Sequence, residues 1–224
     1  MNPEPVLDRE ALERLPRQQL GRPSALKPAV WRIAAPGGTL IVKDVLHSPA
    51  WTRWIARAML RRERKILSRL SEVDGVPHLA GRIDRNAIAL TWVPGRQLDK
   101  RIFRARPREL MRQMGELTTR LHAAGVFHLD LHQRNNFLVD ERGRLSIVDF
   151  GSAVAPNRLT RALFGRFLRR SDEHAGYKFL ARFAPEELTD DEARTILEQR
   201  ALRRLWFFTP TSKREIKAAR KRLS

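Results

Sequence analysis

The apolar positions change period along the chain. Ala29-Val30-Trp31-Arg32-Ile33-Ala34 and Thr39-Leu40-Ile41-Val42-Lys43 are short apolar-rich runs separated by Pro36-Gly37-Gly38. Two such runs flanking a turn predict a β-hairpin. Ala87-Ile88-Ala89-Leu90-Thr91-Trp92-Val93, closed by Pro94-Gly95, predicts a further strand, and Val73 to Ile83 a connection plus a strand, with Gly75, Pro77 and Gly81 as breakers. Between these runs the period lengthens. Trp51, Trp54, Ile55, Ala58, Met59, Ile66, Leu67 and Leu70 mark the apolar side of a helix from Ala50 to about Leu70. Ser48 and Pro49 ahead of it supply a capping hydroxyl and a first-turn proline.

Helical spacing dominates the second half. Leu98 to Phe103 and Pro107 to Ala124 predict helices, the latter with Leu110, Met111, Met114, Leu117, Leu121 and His122 as core. Phe137-Leu138-Val139 and Leu145-Ser146-Ile147-Val148 predict two short strands joined by the turn Asp140-Glu141-Arg142-Gly143. After Gly151 the pattern is helical and basic through Arg158 to Arg170 and Ser171 to Phe183. Thr189-Asp190-Asp191-Glu192 resembles a capping box opening a helix through Leu205, and the basic tail Lys213 to Arg222 reads as a frayed helix. Residues 1–28 are polar and proline-containing, with a short helix expected between Leu7 and Leu20 under an Asp8 cap. The order predicts an α+β protein: an extension (1–28), a small antiparallel β part (29–93) and a compact, mostly helical part (94–224).

Composition narrows the class. The chain has 224 residues, 42% of them apolar, which is enough for a real core. It has no cysteine, so disulfides and thiolate chemistry are excluded. The N-terminus lacks the basic start and apolar run of a signal peptide, and no run approaches a membrane span. The expectation is a cytoplasmic protein. The formal net charge is +19, which attracts anions such as nucleic acid, anionic lipid or phosphorylated substrates.

The candidate chemistry lies between His128 and Gly151. One polar cluster holds His128, Asp130 and Asn135; the other is Asp149-Phe150-Gly151. The hairpin joining them is expected to bring Asp130, Asn135 and Asp149 to one end, where two carboxylates and an amide oxygen suit a hard cation. H-x-D-x-x-x-x-N followed by D-F-G resembles the catalytic and metal-binding loops of the protein-kinase-like superfamily.

That resemblance implies a bilobal fold and an ATP- and Mg²⁺-dependent phosphotransferase. Asp130 would accept or orient the proton of the attacking hydroxyl, and Asn135 and Asp149 would hold Mg²⁺. Lys43 matches the lysine on the ATP phosphates, and Glu63 the glutamate that orients it. The backbone of Thr91, Trp92 and Val93 would meet the adenine edge, with Leu90 at the back of the pocket. His128 would support the loop, its alternative role being general base.

Departures narrow the likeness. No G-x-G-x-x-G precedes Lys43, so phosphate cover is expected from a degenerate loop around Gly21 to Ala34. Leu129 replaces the arginine of H-R-D, His132 stands where protein kinases place lysine, and Ala184-Pro185-Glu186 is read as a chance match. The chain most resembles the bacterial lipopolysaccharide core (Kdo and heptose) kinases, with RIO-type kinases as near relatives. The implied acceptor is a lipopolysaccharide core sugar hydroxyl; the alternatives are a RIO-like serine/threonine protein kinase, whose positive charge would face RNA, and a pseudokinase binding module. A glycolipid acceptor would place the protein peripherally at the inner membrane, with Trp51, Trp54 and Trp206 at an anionic face.

Overall fold

The structure, a computed structural model, describes residues 7–203 and 213–223, without the side chains of 199–203, 213 and 214. Trp206 and the expected helix end at Leu205 lie outside the described residues. The protein is α+β, with an antiparallel sheet in its N-terminal region and a helical C-terminal part. It divides into two compact units: Met1–Pro94 with Ile147–Ala155, and Gly95–Ser146 with Pro156–Ser224.

Unit 1 is a five-stranded antiparallel sheet in the order β1-β2-β3-β5-β4, made of β1 (Arg17–Leu20), β2 (Ala29–Ala35), β3 (Gly38–Asp44), β4 (Leu79–Arg82) and β5 (Ala87–Thr91). The expected hairpin is β2–β3, with Val30 opposite Lys43 and Ile33 opposite Leu40. Ile33 and Val42 are fully buried, as is most of β5. The helix expected over residues 7–20 is only α1 (Arg9–Arg14). Leu15 precedes Pro16 and takes an extended conformation (φ −77°, ψ 143°), as the proline ring requires of its neighbour. Residues 17–20 then pair as the edge strand β1. Its Arg-Gln-Gln sequence lacks an alternating apolar signal, but polar residues suit an exposed edge.

Helix α2 (Ala50–Arg69) is one unbroken element. Ser48 does not cap it; Pro49 takes the cap position without a side-chain bond, and the Ser48 N–H donates to the Val45 carbonyl. The buried face also differs from expectation. Thr52, Ala56, Leu60, Glu63, Ile66 and Leu67 are buried, while Trp51 and Trp54 are 75% and 67% exposed. Spacings of three and four along 52, 56, 60, 63 and 67 make one helical stripe, and that stripe contains the glutamate.

Strands β6 (Arg96–Gln97), β7 (Phe137–Val139) and β8 (Leu145–Ile147) form a three-stranded sheet, all of it in unit 2 but for Ile147. The helices of unit 2 are α3 (Lys100–Ala105), α4 (Pro107–Ala123), α5 (Arg158–Glu173), α6 (Ala175–Phe183), α7 (Asp190–Arg203) and α8 (Lys213–Leu223). Phe103, Phe137, Phe179 and Phe183 interlock in the core at ring separations of 5.6 to 6.1 Å. Gly143 closes the β7–β8 turn with φ +78°, a conformation that favours glycine. The capping box at α7 forms reciprocally: Glu192 N–H donates to Thr189 Oγ1 (3.3 Å) and Thr189 N–H to Glu192 Oε2 (2.8 Å). The tail is not a frayed helix, since α8 packs on α6 and α7 and Arg222 pairs with Asp190 at 2.8 Å. Among the described residues no helix is long and apolar enough to cross a membrane.

The N-terminal segment is fastened to the sheet by charge as well as by Leu7 and Leu12, which join the buried cluster. Arg9 bridges Asp44, whose side chain is 3% exposed, and Asp84 at 2.8 Å. Burial opposes ionisation of Asp84. Hydrogen bonds from Arg9 and from the Asn86 and Ala87 N–H groups outweigh it and hold the Asp84 pKa below the usual carboxylate value. Arg9→Ala should therefore destabilise the protein by about 3 kcal/mol in urea unfolding near neutral pH, because Asp44 keeps a buried charge without its cation. A lowered folded pKa gives stability that is present above the unfolded value and lost as pH falls through the folded one. The difference between wild type and Arg9→Ala should thus hold from about pH 5 upward and shrink below about pH 4.

Candidate active site

Unit 1 brings together Lys43, Glu63 and Asp149. Lys43 is the last residue but one of the inner strand β3 and is almost fully buried. Its Nζ lies 2.5 Å from Glu63 Oε1 and 2.8 Å from Asp149 Oδ1. Burial alone would lower the lysine pKa. The two carboxylates outweigh it and hold the ammonium above its ordinary value. Glu63 is itself buried, whereas Asp149 is 61% exposed at the side chain. The pair therefore has a closed inner half and an open outer half.

Asp149 reaches this position because residues 147–155 return to unit 1. Ile147 N–H donates to the Gly75 carbonyl at 2.8 Å, Arg62 to the carbonyl of Gly151, and Arg69 to that of Ala155. Asp149 has φ +65°, ψ +78°, a left-handed conformation uncommon for aspartate, and its Oδ1 accepts from the Gly151 N–H at 3.4 Å. In β5, Leu90 is buried. Thr91 is exposed, with its N–H bonded to the His78 carbonyl. Trp92 and Val93 are half-buried, and Arg32 of β2 stacks over the Trp92 ring at 4.5 Å. Gly21 to Pro28, between β1 and β2, is the connection inside the stretch expected to cover phosphate.

Unit 2 carries the other cluster. Asp130 is half-buried, with Oδ1 3.3 Å from His132 Nε2. The asparagine beside it is Asn136 rather than Asn135. Asn136 is buried and donates through Nδ2 to the Asp130 carbonyl (2.9 Å) and to Oδ2 (3.1 Å). Asn135 is exposed in the 3₁₀ turn Arg134–Asn136. The loop from Asp130 to β7 is thus one residue longer than the motif count assumes. Counting back from Phe137, where the apolar strand begins, picks out Asn136 as the residue that bonds Asp130.

Asp172 is the second residue that the sequence reading missed. It sits at the end of α5 with its side chain fully buried. Oδ2 accepts from the His128 N–H (2.8 Å) and lies 3.1 Å from His122 Nε2, and Oδ1 accepts from the Leu129 N–H at 2.7 Å. His128, fully buried, thus helps hold the loop. Leu129 has φ +64°, so Asp172 clamps a strained turn immediately before Asp130. An aspartate at the end of an arginine-rich helix carries no motif of its own.

With this geometry in hand, the chain can be compared with known proteins. Residues 61–171 match the family model of the ABC1 atypical kinase-like domain. That stretch is protein-kinase-like. It includes Glu63, Asp130, Asn136 and Asp149, begins after Lys43 and ends one residue before Asp172. CBL-interacting protein kinase 12 of Oryza sativa subsp. japonica is 32% identical over 107 residues, 45% of this chain and 20% of that protein. CBL-interacting serine/threonine-protein kinase 21 of Arabidopsis thaliana is 25% identical over 126 residues, 53% of this chain and 30% of that protein. The chain spans less than a third of the length of these curated relatives.

The donor set fits ATP-Mg²⁺. Among the described residues no three His, Cys, Asp or Glu side chains cluster as an all-protein cage. Mg²⁺ is usually held by one or two carboxylates together with substrate phosphates, and in unit 1 the exposed carboxylate of Asp149 is a donor of that kind. The buried pair gives a direct stability test. Lys43→Met should cost about 3–5 kcal/mol in urea unfolding, because Glu63 is left as a buried unpaired charge. Lys43→Met/Glu63→Leu should recover most of that loss, since an apolar pair of similar size replaces the ions. A double variant no better than the single would mean that the pair is not what holds α2 in place.

Proposed function

We propose that the protein is an ATP- and Mg²⁺-dependent phosphotransferase acting on a hydroxyl group. The observation that carries this reading is Lys43 held between the buried Glu63 and the exposed Asp149. A permanently charged ammonium fixed by one carboxylate and placed beside another suits nucleotide phosphates with their metal. In this reading unit 1 binds the nucleotide: Lys43 contacts phosphate, Leu90 lines the pocket, and the backbone of Thr91, Trp92 and Val93 faces the adenine. Asp149 in unit 1 would offer a carboxylate oxygen to Mg²⁺ and Asn136 in unit 2 an amide oxygen, and the ion would supply neutralisation of phosphate charge. Asp130 accepts or orients the proton of the acceptor hydroxyl. His132, 3.3 Å from Asp130 Oδ1, takes the place that lysine has in protein kinases.

For the acceptor we favour a lipid-linked sugar hydroxyl of the lipopolysaccharide-core type. Leu129 and His132, in place of arginine and lysine, support a non-protein acceptor, and the charge of +19 suits an anionic glycolipid. A protein serine or threonine is the second reading, supported by the kinase names of the two relatives. A binding module without turnover is disfavoured, because it has no need of a hydroxyl-facing Asp130 together with the whole phosphate set.

The test is transfer of labelled γ-phosphate from ATP-Mg²⁺ to lipopolysaccharide core acceptors and, in parallel, to a cell protein extract. Label is expected in the glycolipid. Label confined to protein would move the acceptor to the second reading, and label in neither would sink both. Asp130→Asn should lower the rate by about 10²–10⁴-fold, the usual contribution of a general base. Asn136→Ala should abolish Mg²⁺-dependent transfer, whereas Asn135→Ala should leave it within about threefold, as for an exposed residue that touches neither reactant.

A further inference from the structure

Helix α5 presents an apolar face that the described residues leave exposed. Of its sixteen residues Asp172, in the last turn, is the one buried. Leu159, Leu163 and Phe164 are 70%, 68% and 56% exposed. Residues 159 and 163 lie one turn apart on the same side and 164 flanks them, so the three form a continuous patch. Arg158, Arg161, Arg166, Arg169 and Arg170 are exposed along the same helix, and no acidic residue precedes Asp172. The Asn157 side chain caps the start by accepting from the Thr160 N–H at 2.8 Å.

An exposed aliphatic and aromatic patch bordered by cations, on a helix with no acid over four turns, is complementary to an anionic lipid surface. Nucleic acid would use the arginines but gain little from two leucines, which offer no stacking face. We propose that α5 is a membrane-docking helix that lays Leu159, Leu163 and Phe164 into the interface of an anionic bilayer while its arginines meet lipid phosphates. Trp51 and Trp54, the residues expected at such a face, are exposed on α2 of unit 1 beside Arg53 and Arg57 and form a separate surface. Docking through α5 gives that helix two ends with different tasks. The outer turns would touch lipid, and the last turn, through Asp172, holds the His128 and Leu129 amides of the loop that carries Asp130. Docking does not depend on the phosphotransferase reading, and its readout requires no turnover.

The experiment is co-flotation of the full chain with phosphatidylcholine vesicles with and without phosphatidylglycerol. The wild type should float with the anionic vesicles only. Leu159→Ser/Leu163→Ser should weaken binding by about tenfold or more, as loss of inserted apolar area requires. Arg158→Glu/Arg166→Glu should weaken it comparably at low salt and by less at high salt, where charge is screened. All four positions are exposed, and unchanged thermal unfolding confirms that the variants fold. Leu163→Cys, in a chain with no other cysteine, labelled with an environment-sensitive dye, should shift to the blue on adding anionic vesicles. Failure of the wild type to float overturns the proposal, as does floating that the leucine variant leaves unchanged. A wild-type dimer that the leucine variant converts to monomer, with no vesicle binding, overturns it in favour of a second copy on α5. Binding to an RNA oligonucleotide without binding to vesicles overturns it in favour of nucleic acid.

Discussion

A buried ammonium between two carboxylates constrains most of unit 1. Removing Lys43 from water is costly unless opposite charges meet it at close range. Glu63 can do so only if α2 is rotated to bring position 63 inward, and the helix then buries Thr52, Ala56 and Leu60 on the same stripe. Trp51 and Trp54 are carried outward by that rotation, although their size would favour burial. Asp149 can do so only if the chain leaves β8 and returns to unit 1. The bonds that receive it there come from α2, through Arg62 and Arg69, and from Gly75 just beyond it. One helix thus serves as wall, counter-charge and landing site.

Unit 2 has a corresponding point of dependence in Asp172. Its carboxylate is taken fully out of water, which is tolerable because two backbone N–H groups and the His122 ring meet it. The same bonds offset the strain of Leu129 in the left-handed region, a cost on the order of 1–3 kcal/mol. An apolar side chain at 172 would leave two buried N–H groups and a histidine unmatched, so the site restricts the residue type more tightly than hydrophobicity could. Gly95, where the chain enters unit 2, shows a different restriction. A Cβ there would stand 3.0 Å from the Val139 backbone, at a φ of +145°.

What could be read in the sequence follows from this division. Short-range chemistry was legible: the β2–β3 hairpin with Lys43 near its end, the turn at Gly143, the capping box at Thr189, and the order of Asp130 and Asp149. The hairpin, the turn and the capping box each depend on residues close together in sequence, and the order of the two aspartates is sequence itself. The rotation of α2 was not legible, because an apolar count places tryptophan inward, while the actual phase follows an ion pair twenty residues apart in sequence. That Asn136 and not Asn135 bonds Asp130 was hidden by two adjacent asparagines. Only the start of β7, which buries Phe137, sets the register. Asp172 reaches His128 across 44 positions, and such a contact leaves no periodic trace. Strand β1 was missed because an edge strand need not alternate, and only Pro16 signalled that the helix before it must stop.

The positive charge has a similar logic. At three sites charge is balanced closely: Lys43 has two acids, Arg9 has two, and Asp172 has donors on both oxygens. The excess therefore resides on the surface, where a solvated arginine costs little and contributes little to stability. Surface charge spread evenly would be a matter of solubility alone. On α5 it coincides with an apolar patch that the helix does not bury, and a helix of this length gains most of its stability from packing an apolar face. A sequence shaped only for solubility would place polar residues at 159, 163 and 164. Keeping leucine and phenylalanine there carries a standing hydration cost, which is recovered when an apolar surface with anionic neighbours meets the helix.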